Sequence, residues 1–131
     1  MSDRLVLVDS SAWIAHLLGQ PAAPARAIPA LLRAHRVAVN AVIHVELLTG
    51  AKDNAQYAAL EDTLGGVHWL ELTPAVWRRA ARLRFELRQA GALVPLPDVV
   101  IACCALAYDC PLLHMDRHFD RIAGMLGVEG E

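Results

Sequence analysis

The apolar runs of this chain are very short, and their shortness is the strongest constraint on what it can fold into. Arg4 to Val8 carries LVLV with no polar alternation. A helix needs more residues than this to bury a face, whereas a strand covered on both sides needs only a few. That makes it the candidate central strand of a parallel sheet. Val37 to Val39, Val67 to Leu72 and Pro111 to Met115 read as further strands.

The intervening segments carry helix starts and stops. Asp9, Ser10 and Ser11 cap a helix from Ala12 to Leu18 that meets Gly19 and Pro21, and an alanine-rich stretch over 22–35 starts at Pro24 or Pro29. Asn40 caps a helix through Leu48, ended near Gly50, and Asp53 caps one reaching Leu64 before Gly65 and Gly66. Thr73 before Pro74 opens a long helix to Ala90, stopped by Gly91, with Val76, Trp77, Ala80, Leu83 and Leu87 as its core stripe. Val94-Pro95-Leu96-Pro97 is expected to be non-helical, which puts Asp98 at the cap of a helix through Ala107; Asp116 leads into a short last helix. The tail after Gly127 is too short to assign. Strands alternating with helices, with no repeat or low-complexity linker across 131 residues, predict one domain over 1–131. Its expected architecture is a three-layer α/β/α sandwich around a mostly parallel sheet.

Four acids are placed by that architecture. Asp9, Asp98 and Asp116 follow or end short apolar runs, and residues at the C-terminal ends of parallel strands converge on one crevice however far apart they lie in the chain. Taken singly, each is explained as a helix cap, since aspartate accepts hydrogen bonds from exposed backbone N–H groups there. Glu46 is not at a helix end. It lies mid-helix with Val42, Ile43 and Thr49 on its face, so its carboxylate points toward a mostly apolar interior and needs a partner. No Lys or Arg stands at helical spacing from it. Four convergent carboxylates repel one another unless a cation compensates them, and all-oxygen ligation suits Mg²⁺ or Mn²⁺ rather than zinc.

Composition limits the alternatives. A net charge of −2 gives no general attraction for polyanions, so any nucleic acid must be gripped locally. Of the 12 Lys+Arg only Lys52 is a lysine, and Arg78, Arg79, Arg82, Arg84 and Arg88 share one helical segment. Their guanidinium forks suit phosphate; a solvated helix face is the plainer explanation of each. Cys103, Cys104 and Cys110 form neither a disulfide framework nor a zinc knuckle and read as buried filler in a reducing compartment. Asp3, Asp9 and His16 break the pattern of a signal peptide, and no run approaches the ~20 apolar residues of a membrane span, so a cytoplasmic protein is expected. With 56% hydrophobic and 20% charged residues, a mean hydropathy of +0.35 is high for a soluble monomer and predicts apolar surface covered by a partner or second subunit. Six histidines raise metal-independent acid–base cleavage as a possibility, yet His16, His35, His44 and His68 have no catalytic neighbour and only His114 and His118 flank a site acid.

Taken together these segments resemble a PIN domain of the VapC type, the toxins of bacterial and archaeal toxin–antitoxin pairs. LVLVDSSAWI resembles its first motif, Glu46 after a short strand its second, DVVIACCA its Asp-x-x-Ile-Ala-Ala segment, and LLHMDRHFDRIA its closing strand. The resemblance implies a metal-dependent endoribonuclease, with Asp9, Asp98 and Asp116 at Mg²⁺ or Mn²⁺, Glu46 completing the site and Ser10 as the accompanying hydroxyl. It implies attack by a metal-activated water on a phosphodiester of exposed single-stranded RNA. It also implies a homodimer and a small antitoxin whose arginine fills the acidic crevice. One departure is His114, where many members carry Ser or Thr two residues before the last Asp; Asp120 is a rival for part of the role of Asp116. A receiver-like phosphoacceptor is the alternative of another class, but it requires adjacent acids after the first strand and a lysine near the last, where this chain has Ser10, Ser11 and a distant Lys52. A catalytically idle PIN-like binding module keeps the fold without the four acids' chemistry.

Overall fold

The LVLV run requires burial on both faces, and in a computed structural model describing residues 3–19 and 24–126 it has that environment. All three residues of β1 (Val6–Val8) are completely buried. There follow α1 (Ser10–Leu17), a 3-10 turn at Ala25–Ala27, α2 (Ile28–Arg33), β2 (Val37–Val39), α3 (Ala41–Thr49) and α4 (Asn54–Gly65). The chain continues through β3 (His68–Trp69), α5 (Pro74–Gln89), α6 (Leu96–Ala107), β4 (Leu112–Leu113) and α7 (Arg117–Leu126). The strands pair in the order β3-β2-β1-β4, every pair parallel, between layers of helices: the α/β/α sandwich expected, with the sheet wholly rather than mostly parallel.

The strand order positions the site. The chain steps outward from β1 to β2 to β3, then crosses back to lay β4 on the other side of β1. At that reversal the flanking connections leave the C-terminal edge in opposite directions and a crevice opens between β1 and β4. Asp9 immediately follows β1, and Asp116 comes shortly after β4.

Local chemistry accounts for most element ends. The side chains of Asp9, Asn40, Asp53 and Thr73 accept hydrogen bonds from the first turns of α1, α3, α4 and α5. Gly91, at φ +81°, takes the left-handed conformation that ends α5, where a side chain would be strained. Trp13, Ile43, Leu87, Ile101, Phe119 and Ile122 fill the core from both layers. Cys103 and Cys104 are buried filler on α6, as expected.

Several expectations are corrected. The strands expected over Val67–Leu72 and Pro111–Met115 shrink to two residues each, because β3 and β4 are edges whose pairing ends with the three-residue partner beside them. Trp77 is 45% exposed and leaves the α5 core stripe to Val76, Ala80, Leu83 and Leu87, which alone keep the helical period. Asp98 is not a cap. The helix α6 begins at Leu96, since a proline in the first turn lacks only an N–H that has no helical partner anyway, and Asp98 falls within that turn. The 22–35 stretch divides into the 3-10 turn and α2; its first residues, like the tail after Gly127, lie outside the described residues.

Candidate functional site

Asp9 stands at the end of β1 and serves two purposes with its two oxygens. Oδ2 caps α1, accepting from Ser11 N at 3.0 Å and from Ser11 Oγ at 2.6 Å. Oδ1 is buried and has no hydrogen-bond partner among the described residues. The cap and ligand readings of this residue are therefore compatible. Ser11 Oγ also accepts from Met115 N at 3.0 Å, tying the loop after β4 to the Asp9 carboxylate.

Glu46 is half-buried on α3, and its partner is a hydroxyl rather than a cation: Ser10 Oγ donates to its Oε1 at 3.0 Å. Its surroundings are thus less apolar than the helical spacing implied. Asp98 and Asp116 are joined by His118. The His118 Nδ1 lies 2.8 Å from Asp98 Oδ2 and 3.1 Å from Asp116 Oδ1, while its backbone N donates to Asp116 Oδ1 at 2.9 Å. Contact with two carboxylates calls for a proton on Nδ1.

Electrostatics bind the four acids into one site. Burial is the main cause raising the pKa of Asp9, opposed by the Ser11 hydrogen bonds and assisted by repulsion from Asp116. Burial likewise raises Glu46 against the Ser10 hydrogen bond, with repulsion from Asp9, Asp98 and Asp116 adding to it. Burial raises Asp98 too, against its His118 bond and with Asp116 and Asp9 repelling it. Burial is the larger cause for each, and the mutual repulsion shows that the four acids lie near enough to feel one another's charge.

Asp98, Asp116 and His118 bring one potential ligand atom each within 4.8 Å of one another. Among the described residues this set is oxygen-rich with a single imidazole and no thiolate; Asp9 is not one of the three, but its carboxylate repels Asp98 and Asp116 and keeps a buried Oδ1 without a hydrogen-bond partner. Such a set fits a hard divalent cation.

Sequence reasoning does not bring His118 or Ser11 into the site. Their only sequence signal is position: His118 two residues after Asp116, and Ser11 two after Asp9. Asp120 does not join the acids. It is exposed and lies 4.0 Å from His114 Nε2, whose ring packs against Phe119 at 4.9 Å between centroids. Arg78, Arg79 and Arg82 are exposed on α5, with Arg82 held by Glu86 at 2.9 Å. Arg84 and Arg88 instead line a groove of about 730 Å³ that reaches His118.

A profile of the PIN domain matches residues 6–125. The chain is 30% identical over 129 residues to Ribonuclease VapC11 of Mycobacterium tuberculosis, covering 95% of this chain and 96% of that one. It superposes on a member of the VapBC family of toxin–antitoxin systems, VapBC-5 from Mycobacterium tuberculosis, with a TM-score of 0.67 at 28% identity, over 98% of this chain and 97% of the other. DNA-bound VapBC from Salmonella typhimurium shares the fold, with a TM-score of 0.79 at 21% identity over 98% and 97% of the two chains.

Proposed function

Because the chain belongs to the PIN domain family and is related within it to the VapC ribonucleases, we propose that it is a divalent-metal-dependent endoribonuclease, the toxin of a toxin–antitoxin pair. The reading is carried by the gathering of Asp9, Glu46, Asp98 and Asp116 at the β1/β4 crevice, with a buried oxygen of Asp9 left open. In this reading Asp9, Asp98 and Asp116 hold Mg²⁺ or Mn²⁺ and Glu46 completes the acidic site. A cation there supplies charge stabilisation at the phosphoryl oxygens and lowers the pKa of a water.

The protein's own contribution is preorganisation. Ser11 fixes Asp9, Ser10 fixes Glu46, and His118 Nδ1 holds Asp98 and Asp116 together, so the acids need not reorganise when substrate arrives. Glu46 Oε2, with Oε1 engaged by Ser10, is the atom assigned to accept the proton of the attacking water. The phosphodiester belongs to an exposed single-stranded RNA segment, since an A-form duplex buries its base edges. Arg78, Arg79 and Arg82 are assigned to phosphates farther along the RNA.

Two protein partners complete the proposal: a second copy of the chain and a small antitoxin whose arginine pairs with the carboxylates. Both rest on exposed apolar surface, chiefly Ile14, Leu17 and Leu18 of α1 and its end and Val45 of α3. Among the described residues no helix is long and apolar enough to cross a membrane, and the proposed place of action is the cytoplasm. The purified protein is expected to cut single-stranded RNA in Mg²⁺ or Mn²⁺ and not in excess EDTA. Undiminished cleavage in EDTA would overturn the reading and turn attention to His118 as an acid–base catalyst.

A further inference from the structure

Beside the acids lies a surface whose composition the proposed chemistry leaves unused. The groove of about 730 Å³ is lined by Arg84, Phe85 and Arg88 of α5, by Leu93 and Leu96, and by His118. Phe85 is 51% exposed, Leu93 74% and Leu96 47%, so the groove sets bare apolar surface beside two guanidinium groups. Arg84 donates from Nε to the Val94 carbonyl at 3.4 Å, which pins its guanidinium at the groove edge. Neither Arg84 nor Arg88 has a carboxylate partner among the described residues. The Arg82 guanidinium carbon sits 5.3 Å from the Phe85 ring centroid, a cation–π contact that steadies the ring while half of it remains open.

An aromatic ring between unpaired guanidinium groups suits nucleotides that carry both a stacking face and a phosphate. The groove meets the acid cluster at His118, which itself contacts Asp98 and Asp116. A strand whose scissile phosphate lies at those acids must leave them somewhere, and a polyanion leaves along cations. Resting on the ribonuclease reading, we infer that this groove takes the single-stranded RNA on one side of the scissile phosphate, with Phe85 stacked on a base and Arg84 and Arg88 paired to backbone phosphates. Phe85 is then a positioning residue that favours unpaired nucleotides, because a base within a duplex cannot turn onto the ring.

The test uses the full-length chain with Asp98→Asn, in excess EDTA so that metal-dependent cleavage is withheld, and reads fluorescence anisotropy of a short fluorescein-labelled single-stranded oligoribonucleotide. Added Phe85→Ala is expected to weaken binding about tenfold, and Phe85→Trp to restore it. Arg84→Ala with Arg88→Ala is expected to flatten the salt dependence by about 1.4 in log–log slope. An oligonucleotide with abasic positions should make the Phe85 effect vanish, which a merely structural role would not. Unchanged affinity in both variants, while the wild type still cuts RNA in Mg²⁺, removes the groove and leaves the ribonuclease reading standing. Absence of any metal-dependent cleavage by the wild type removes both. Dissociation of a dimer by Phe85→Ala with RNA affinity intact would assign the groove to an interface between copies and overturn the inference.

Discussion

Replacing Ser11 by alanine isolates the contact that joins the two strand ends of the site. Its hydroxyl donates to buried Asp9 Oδ2 at 2.6 Å and accepts from Met115 N at 3.0 Å. The second bond is at an exposed position where water substitutes, so it contributes little; the first is a short bond to a carboxylate that is only 2% exposed. Hydrogen bonds to charged groups contribute about 1.5–3 kcal/mol, and no water reaches this one readily. Ser11→Ala should therefore cost about 2 kcal/mol in EDTA, or about 6–10 °C in Tm for a domain of this size. The Ser10 hydroxyl makes a similar bond to Glu46, but that carboxylate is half-buried, so Ser10→Ala should cost under about 1 kcal/mol. Differential scanning calorimetry of the wild type and both variants measures the contrast. Equal losses, or a Ser11→Ala loss below about 0.5 kcal/mol, would refute the idea that burial of Asp9 makes its hydroxyl partner the stronger brace.

Asp98→Asn keeps the acceptor facing His118 while removing the charge, so RNA cleavage should fall at least about a hundredfold with an unchanged circular dichroism spectrum; retained cleavage would dissociate Asp98 from the chemistry. Burial raises the folded-state pKa values of Asp9, Glu46 and Asp98, so in EDTA their contribution to stability is fully present below ~4 and lost as pH rises through the raised values. The triple variant Asp9→Asn, Glu46→Gln, Asp98→Asn should accordingly overtake the wild type in Tm as pH is raised to neutrality, and parallel Tm curves would contradict this. Changing Arg78, Arg79 and Arg82 together should lower the salt slope of RNA binding by about 0.7 for each phosphate they neutralise, and an unaltered slope assigns that face to solvent. Light scattering is expected to report a homodimer, and a monomer at micromolar concentration would remove the second copy from the account of the exposed α1 surface.

The architecture is legible in the sequence because the code for it is local. Each of Asp9, Asn40, Asp53 and Thr73 sits one residue before an element it helps start, and a side chain that caps its own helix needs no knowledge of the rest of the molecule. Strand length is not legible, for the opposite reason. Val67 to Leu72 has the residues of a longer strand, yet how far it pairs depends on β2, a segment remote in sequence and only three residues long. The expectation of a cap at Asp98 fails because prolines at 95 and 97 point away from helix in general, although a proline in a first turn sacrifices nothing.

The site divides along the same line. Asp9 and Asp116 are legible because strand ends in a parallel sheet must converge, whereas Asp98 follows no strand, reaching the site from the first turn of α6, and Glu46 reaches it from the middle of α3. What orients the acids is not legible. Ser10 and Ser11 are adjacent hydroxyls with the same local chemistry, and only the fold directs one across 36 residues to Glu46 and the other to Asp9 and the loop after β4. The same holds on α5, where five arginines share one segment but the helical turn sends Arg84 and Arg88 to the groove and Arg82 to Glu86. Function in this chain thus depends on two kinds of information. That Asp9 and Asp116 meet is written in the order of strands, whereas what Glu46 and Asp98 face, and which neighbours hold the acids still, is decided by side-chain direction, and that direction turns by about 100° with every helical residue.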